Sequence, residues 1–242
     1  MEEAWRVIEQ RACANKPTMV VTANSEILWH ARRHPAYWHV LQRADLRLVD
    51  SFGLKLVGLL SGALPVRLTG IEFTQQLLQV ALRKRWRVAL IGGAPGVAKQ
   101  AAEWLDTIYP NLILHTEYGG AIQDHGSDDV AGASSRARLK QFAPDVLLVA
   151  FGHPKQEAWI AKHLPDFTSV KIAVGIGGAI DYWAAIKTRA PSLLQTLGLE
   201  WLWRLGREPK RWRRIIRAVL LFPGAVLIDK LFKYDYQNSR RD

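Results

Sequence analysis

The chain has 242 residues, 49% of them hydrophobic, and a formal net charge of +11, which is enough apolar material for one substantial core with a small tail. A lone cysteine, Cys13, excludes an intrachain disulfide; the start, Met1-Glu2-Glu3-Ala4-Trp5-Arg6, lacks the basic-then-apolar layout of a secretory signal, so a reducing cytoplasm is expected. The longest apolar run, Ala218 to Ile228, is interrupted by Pro223 and Gly224 and falls short of the ~20 residues of a spanning helix, and the positive charge calls for an anionic partner without naming it.

From residue 17 to 180 short apolar runs alternate with longer helix-like stretches, the pattern of an α/β, Rossmann-like domain whose largely parallel sheet is flanked by helices. The expected strands are Met19–Val21, Leu46–Val49, Val88–Ile91, Leu112–His115, Val146–Phe151 and Lys171–Ile176. Turn formers follow three of them directly: Gly92-Gly93, Gly152-His153-Pro154 and Gly177-Gly178. Between strands, Ile71–Leu82 reads as a helix opened by Thr69 and Glu72 at capping-box spacing. His30 and His34 read as an i,i+4 pair on one helix, with no metal-ligand spacing. The stretch Gly119 to Ser135, rich in Gly, Asp and Ser, reads as a mobile surface loop.

After Ala190 the composition turns to tryptophan, leucine and arginine, which divides the chain into a catalytic α/β domain, 1–190, and a helical basic appendage, 191–242. A first tail helix is expected over Ser192–Leu205, and Pro209 suits the first position of a second. At about 100° per residue, Trp212, Ile215, Ile216, Val219 and Leu220 share one side of that second helix and Lys210, Arg211, Arg213, Arg214 and Arg217 the other. Such a helix either docks on the domain with a solvated basic face or lies on an anionic membrane; the density of arginine beside tryptophan favours the membrane.

In open α/β sheets ligands bind beyond the carboxyl ends of the strands, so polar residues there are weighed first. Thr22 and Asn24 follow the first strand, Asp50 follows the second, and Arg67 precedes the Thr69-Gly70 helix start. Gln156 lies where a buried strand turns into a helix whose N–H groups attract phosphate, and Asp181 follows a glycine turn where it can accept from a ribose or base. Each has a plain structural reading as well: Asp50 as a cap, Asn24 as an Asx-turn, Gln156 as a first-turn helix residue. The run Gly92-Gly93-Ala94-Pro95-Gly96 departs from the G-x-G-x-x-G of dinucleotide folds, which weakens a nicotinamide-dependent reading.

Taken in order, Thr22-Ala23-Asn24-Ser25-Glu26, Ala44-Asp45, Asp50, Arg67-Leu68-Thr69-Gly70, Gly92-Gly93, Pro154-Lys155-Gln156-Glu157, Gly177-Gly178, Asp181, Arg189-Ala190-Pro191 and Gly198-Leu199-Glu200-Trp201-Leu202-Trp203-Arg204 closely resemble the WecG/TagA/CpsF family of glycosyltransferases. The resemblance implies an inverting, metal-independent transferase without a cofactor. Its donor would be a UDP-sugar, of N-acetylmannosamine type, and its acceptor N-acetylglucosamine on polyprenyl diphosphate, in the making of a cell-surface polysaccharide or teichoic acid. It implies Asp50 as general base, with Thr22, Asn24, Arg67 and Gln156 lining the catalytic site. Gly92, Gly93, Gly177, Gly178 and Asp181 would bind substrate, as would Arg204, Arg211 and Arg214 of the tail. Two departures stand out: the family's Asp-Gly is Asp50-Ser51 here, and a family glycine is Ala185.

Chemically, the transfer must remove a proton from a sugar hydroxyl, a task for Asp50, and stabilise a departing diphosphate, a task for the guanidinium groups. Inversion needs a single displacement and no second, nucleophilic carboxylate. The expected partners are the UDP-sugar, the lipid-linked acceptor, an anionic membrane surface on the cytoplasmic side and, at most, further copies of the chain as a homo-oligomer. Nucleic acid is not among them, although a basic nucleic-acid-binding module is the rival reading that charge and aromatic content suggest.

Overall fold

The computed structural model describes residues 2–14, 16–60, 62, 67–186, 188, 190–191, 193–194 and 199–226. Helix α1 (Glu2–Cys13) leads into β1 (Thr18–Ala23), α2 (Ser25–Ala31), α3 (Pro35–Gln42), β2 (Leu46–Val49), α4 (Phe52–Leu60) and α5 (Gly70–Lys84). There follow β3 (Arg87–Gly92), α6 (Val97–Ile108), β4 (Ile113–Glu117), α7 (Val130–Phe142), β5 (Val146–Ala150), α8 (Lys155–His163), β6 (Ile172–Gly175) and α9 (Ala179–Trp183). The six strands form one sheet in the order β2-β1-β6-β5-β3-β4, and β1/β6, β6/β5, β5/β3 and β3/β4 pair in parallel. All six expected strands are therefore present, and the α/β class holds.

Of the described residues, those within Met1–Thr22, His34–Leu48 and Leu68–Arg189 form one compact unit and those within Ala23–Arg33, Val49–Arg67 and Ala190–Asp242 the other. The first unit holds the body of the sheet. Its central strand β5, Val146 to Ala150, is buried at every residue, which is why it reads as an unbroken apolar run rather than an alternation. Helix α5 starts at the capping box foreseen from sequence: Thr69 Oγ1 accepts from the Glu72 N–H and Glu72 accepts from the Thr69 N–H. It buries Phe73, Leu77, Leu78 and Ala81 on one face, and α1 closes over it with Ile8 buried and Trp5 stacked on Phe73 at 5.7 Å. At the amino ends of the strands Asp45 accepts from the Met19 N–H and pairs with Arg11, while Asp145 accepts from the Arg87 N–H and pairs with Lys171. Asp45, part of a family-like motif, thus pins the end of the sheet away from the strand-end turns.

Three local expectations are corrected. The Gly119–Ser135 segment is no loose loop: Ile122 bridges Asp128, Gly126 lies so close to Ala158 that a Cβ there would come within 2.5 Å of its backbone, and residues from Val130 onward are already α7. Its aspartates are used internally, Asp128 pairing with Arg136 at 2.9 Å and Asp129 accepting from the Gly132 N–H at 2.8 Å. His30 and His34 do not share a helix, because α2 ends at Ala31 and His34 precedes α3, which opens with Pro35. Ala185, where the family has glycine, adopts φ of 56°, a left-handed conformation that a side chain disfavours.

In the second unit α2, α4 and the tail pack together. Gly53 lets α4 approach closely, since a Cβ there would lie 3.0 Å from Ser25 Oγ and 3.5 Å from the Ala218 carbonyl. Ser51, the departure from the family's glycine, accepts from the Leu54 N–H at 3.3 Å and the Ser25 N–H at 3.2 Å, so it caps α4 and ties it to α2. The tail forms a helix over Glu200–Arg207, a 3₁₀ turn over Pro209–Arg211 with Pro209 in its first turn, a helix over Trp212–Ile216 and a π-helical turn over Arg217–Leu221. Of the expected first tail helix, Ser192 and residues 195–198 lie outside the described residues. The expected apolar side of the second is split: Ile215 is buried, as is Phe222 beyond it, whereas Trp212 and Ile216 are exposed beside Arg213, Arg214 and Arg217.

Candidate active site

In the first unit four neighbouring strands, β1, β6, β5 and β3, end in a row, and the glycine turns picked out from sequence follow three of them. Gly92, with φ of 116°, lies so close to β5 that a Cβ would meet the Ala150 backbone at 2.7 Å, and the Gly93 N–H donates to the Ala150 carbonyl. Only glycine fits there. Gly96, Gly152 and Gly178 differ: among the described residues, no atom other than those of the glycine and its chain neighbours lies within 4 Å of where a Cβ would sit, so a ligand can approach the backbone. Asp181 stands in the first turn of α9, after Gly178. Thr22, at the end of β1, is buried; its hydroxyl donates to the Gly175 carbonyl at 3.3 Å and its side chain lies against Gly70.

Gln156 is buried at the start of α8 and is engaged at both ends of its amide. Its Oε1 accepts from the Gly177 N–H at 3.0 Å and its Nε2 donates to Glu157 Oε1 at 2.7 Å. Gly175 makes room for it, since a Cβ there would lie 2.5 Å from Nε2. Glu157 in turn accepts from the Tyr37 hydroxyl at 2.9 Å. Burial pushes the Glu157 carboxyl up to about 7 against the opposing pull of these hydrogen bonds, and burial also raises the Tyr37 phenol. Sequence reasoning missed both residues. An acid in a first helical turn reads as a solvated partner of the helix dipole; the available signal was its place in Glu157-Ala158-Trp159-Ile160, a run too apolar to face water.

In the second unit Asn24, Asp50 and Arg67 are brought together. Asn24 caps α2, its side chain accepting from the Ile27 N–H at 3.0 Å. The Asp50 N–H donates to the Ala23 carbonyl at 2.8 Å, and its own carbonyl accepts from Arg67 Nε at 3.1 Å, with Val49 bridged to Arg67. Both main-chain ends of Asp50 are thereby clamped. Arg214 forms an ion pair with Glu26 of α2 at 2.7 Å, and the side chains of Arg204 and Arg211 lie outside the described residues. Among the described residues no three His, Cys, Asp or Glu side chains converge as a metal site requires, and no helix is long and apolar enough to cross a membrane.

The model of the glycosyl transferase WecG/TagA/CpsF family matches residues 1–236. This chain belongs to that family. Among relatives of the glycosyltransferase is the N-acetylglucosaminyldiphosphoundecaprenol N-acetyl-beta-D-mannosaminyltransferase of Staphylococcus aureus strain MW2, 33% identical over 84% of this chain and 78% of its own. The enzyme of the same name from Bacillus spizizenii strain W23 is 34% identical over 84% of this chain and 76% of its own. Membership makes the chain a sugar-transferring enzyme and removes the ground for the nucleic-acid-binding alternative, which rested on charge and aromatic content alone.

Proposed function

We propose that this glycosyltransferase moves an N-acetylmannosamine-type sugar from a UDP-sugar to N-acetylglucosamine carried on polyprenyl diphosphate, with inversion and without a metal ion. The observation that carries the reading is its 33–34% identity, over 84% of the chain, to enzymes whose names specify that sugar and that acceptor. Asp50 takes the proton of the acceptor hydroxyl as it attacks the anomeric carbon. Its clamped main chain, with Arg67 on its carbonyl, supports that role because a general base has to be held within hydrogen-bond reach. Thr22 and Asn24 shape the loop after β1, and Gln156, Gly92, Gly93, Gly177, Gly178 and Asp181 bind the donor. The approachable backbone at Gly152 and Gly178 suits a diphosphate.

The leaving UDP gains negative charge, which Arg204, Arg211 and Arg214 neutralise in place of a divalent ion. For Arg214 this means exchanging the Glu26 carboxylate for a phosphate oxygen. Residues 191–242 act as an appendage to the catalytic residues 1–190. The exposed Trp212 and Ile216 beside Arg213 and Arg217 attach the enzyme peripherally to the anionic cytoplasmic face of the membrane that carries the acceptor. A screen of UDP-sugars against a short-chain polyprenyl-diphosphate N-acetylglucosamine acceptor, with and without EDTA, tests the reading. Inverted product from UDP-N-acetylmannosamine or a close relative, undiminished by EDTA, is expected. Product from no UDP-sugar, or transfer lost in EDTA and restored by magnesium or manganese, refutes the donor or the metal assignment respectively.

A further inference from the structure

A buried carboxylate is costly, and Glu157 is buried to 1% exposure with no cation among its hydrogen-bond partners, Tyr37 and Gln156. What it does for the molecule follows from the chemistry of the neighbouring amide. A glutamine amide presents an acceptor on one side and donors on the other, and rotation by half a turn exchanges them at almost no steric cost. The Gly177 N–H needs the acceptor, so the amide must not turn. Glu157 enforces this: an ionised carboxylate that already accepts from the Tyr37 hydroxyl can take only a donor from Gln156. Nε2 is thereby held towards Glu157 and Oε1 towards Gly177. A protonated Glu157 could instead donate to Oε1 and turn Nε2 against the Gly177 N–H, donor against donor. Burial and these hydrogen bonds oppose each other in setting the carboxyl near neutrality, so hydroxyl donation by Tyr37 weighs in favour of the ionised form.

We propose that Glu157, held by Tyr37, is a positioning residue that fixes the orientation of the Gln156 amide and through it the Gly177-Gly178 turn that receives the donor diphosphate. The inference rests on the donor-binding reading of Gln156 and that turn given above. It gives α3, which carries Tyr37 and no residue of the site itself, a defined part in donor binding.

The test is a double-mutant cycle read by the affinity for UDP, measured by calorimetry on the full chain. Glu157→Leu removes the acceptor and should weaken UDP binding about tenfold, and Tyr37→Phe, which deletes a single hydroxyl, about threefold. Glu157→Gln, which like the protonated acid offers Gln156 a donor as well as an acceptor, no longer enforces one orientation and should weaken UDP binding about threefold. In a Gln156→Ala background, all three losses should shrink below about twofold, since nothing is left to orient. Losses of the same factor with and without Gln156, or wild-type affinity in Tyr37→Phe and Glu157→Leu, overturn the positioning role. Should Glu157→Leu not fold, the Tyr37→Phe cycle decides alone. Unaltered UDP binding by Gln156→Ala alone would instead remove the donor-binding reading, and the inference with it.

Discussion

Glu157→Gln should change how the stability of this enzyme depends on pH. The folded protein raises this carboxyl from 4.5 to about 7, which at about 1.4 kcal/mol per unit amounts to about 3 kcal/mol. Because the proton is held more tightly in the folded than in the unfolded chain, the contribution is fully present below about pH 4.5 and lost as the pH rises through about 7. The glutamine variant never ionises, so wild type should lose about 3 kcal/mol relative to it between about pH 4.5 and 8.5. Other shifted groups, such as Asp128, lowered despite burial by its hydrogen bond from Arg136, and His163, lowered by burial, are common to both proteins and cancel. Urea unfolding followed by circular dichroism at several pH values in that window measures the difference. A stability gap constant to within about 0.5 kcal/mol would mean that Glu157 keeps an ordinary pKa in the fold, and the argument for a costly buried carboxylate would fail.

Asp50→Asn should lower kcat by about 10²–10⁴-fold while UDP affinity stays near wild type; turnover within a few-fold, where chemistry limits the rate, would exclude it as base. Gly178 has φ of −72° and open space where a Cβ would sit, so Gly178→Ala should cost at most about 1 kcal/mol of stability, for an apolar residue at the N-cap of α9, yet weaken UDP binding; unchanged binding would place the donor elsewhere. Replacing Lys210, Arg213 and Arg217 together by Gln should weaken binding to anionic liposomes by about 1 kcal/mol per charge, with turnover of a soluble short-chain acceptor kept; equal binding at low salt would refute attachment through these residues. Ala185→Gly should stabilise the chain by about 0.5–1 kcal/mol, because the left-handed conformation at 56° costs alanine more than glycine loses in chain entropy; a lower melting temperature would count against that conformation.

Several parts of the molecule are plain in the sequence because they are local in origin. A strand buried on both faces of a parallel sheet has to be apolar at successive positions, so Val146–Ala150 and its neighbours announce themselves. The Thr69/Glu72 box is a contact between residues three apart, and Gly92 reveals by its lack of a side chain that two backbones pass closely. Even the order of polar residues at strand ends, from Thr22 to Asp181, is carried by the alternation of strand and helix.

Other features depend on residues far apart in the chain. Composition around Gly119–Ser135 says turn and solvent, but tertiary contact uses Gly126 for close approach to α8, Gly119 for close approach to Phe151 and Ile91, and the aspartates for caps and ion pairs. The periodicity of the second tail helix gives one apolar side; packing in the second unit buries Ile215 and leaves Trp212 and Ile216 outside, and no local rule reveals which. Glu157 is the clearest case. By itself the sequence determined that a helix begins after Pro154 with Gln156 and Glu157 in its first turn. Only the fold decided that Tyr37, 120 residues away, and the Gly177 N–H would enclose them, turning a residue type that water normally solvates into a buried carboxylate that holds one amide in one orientation.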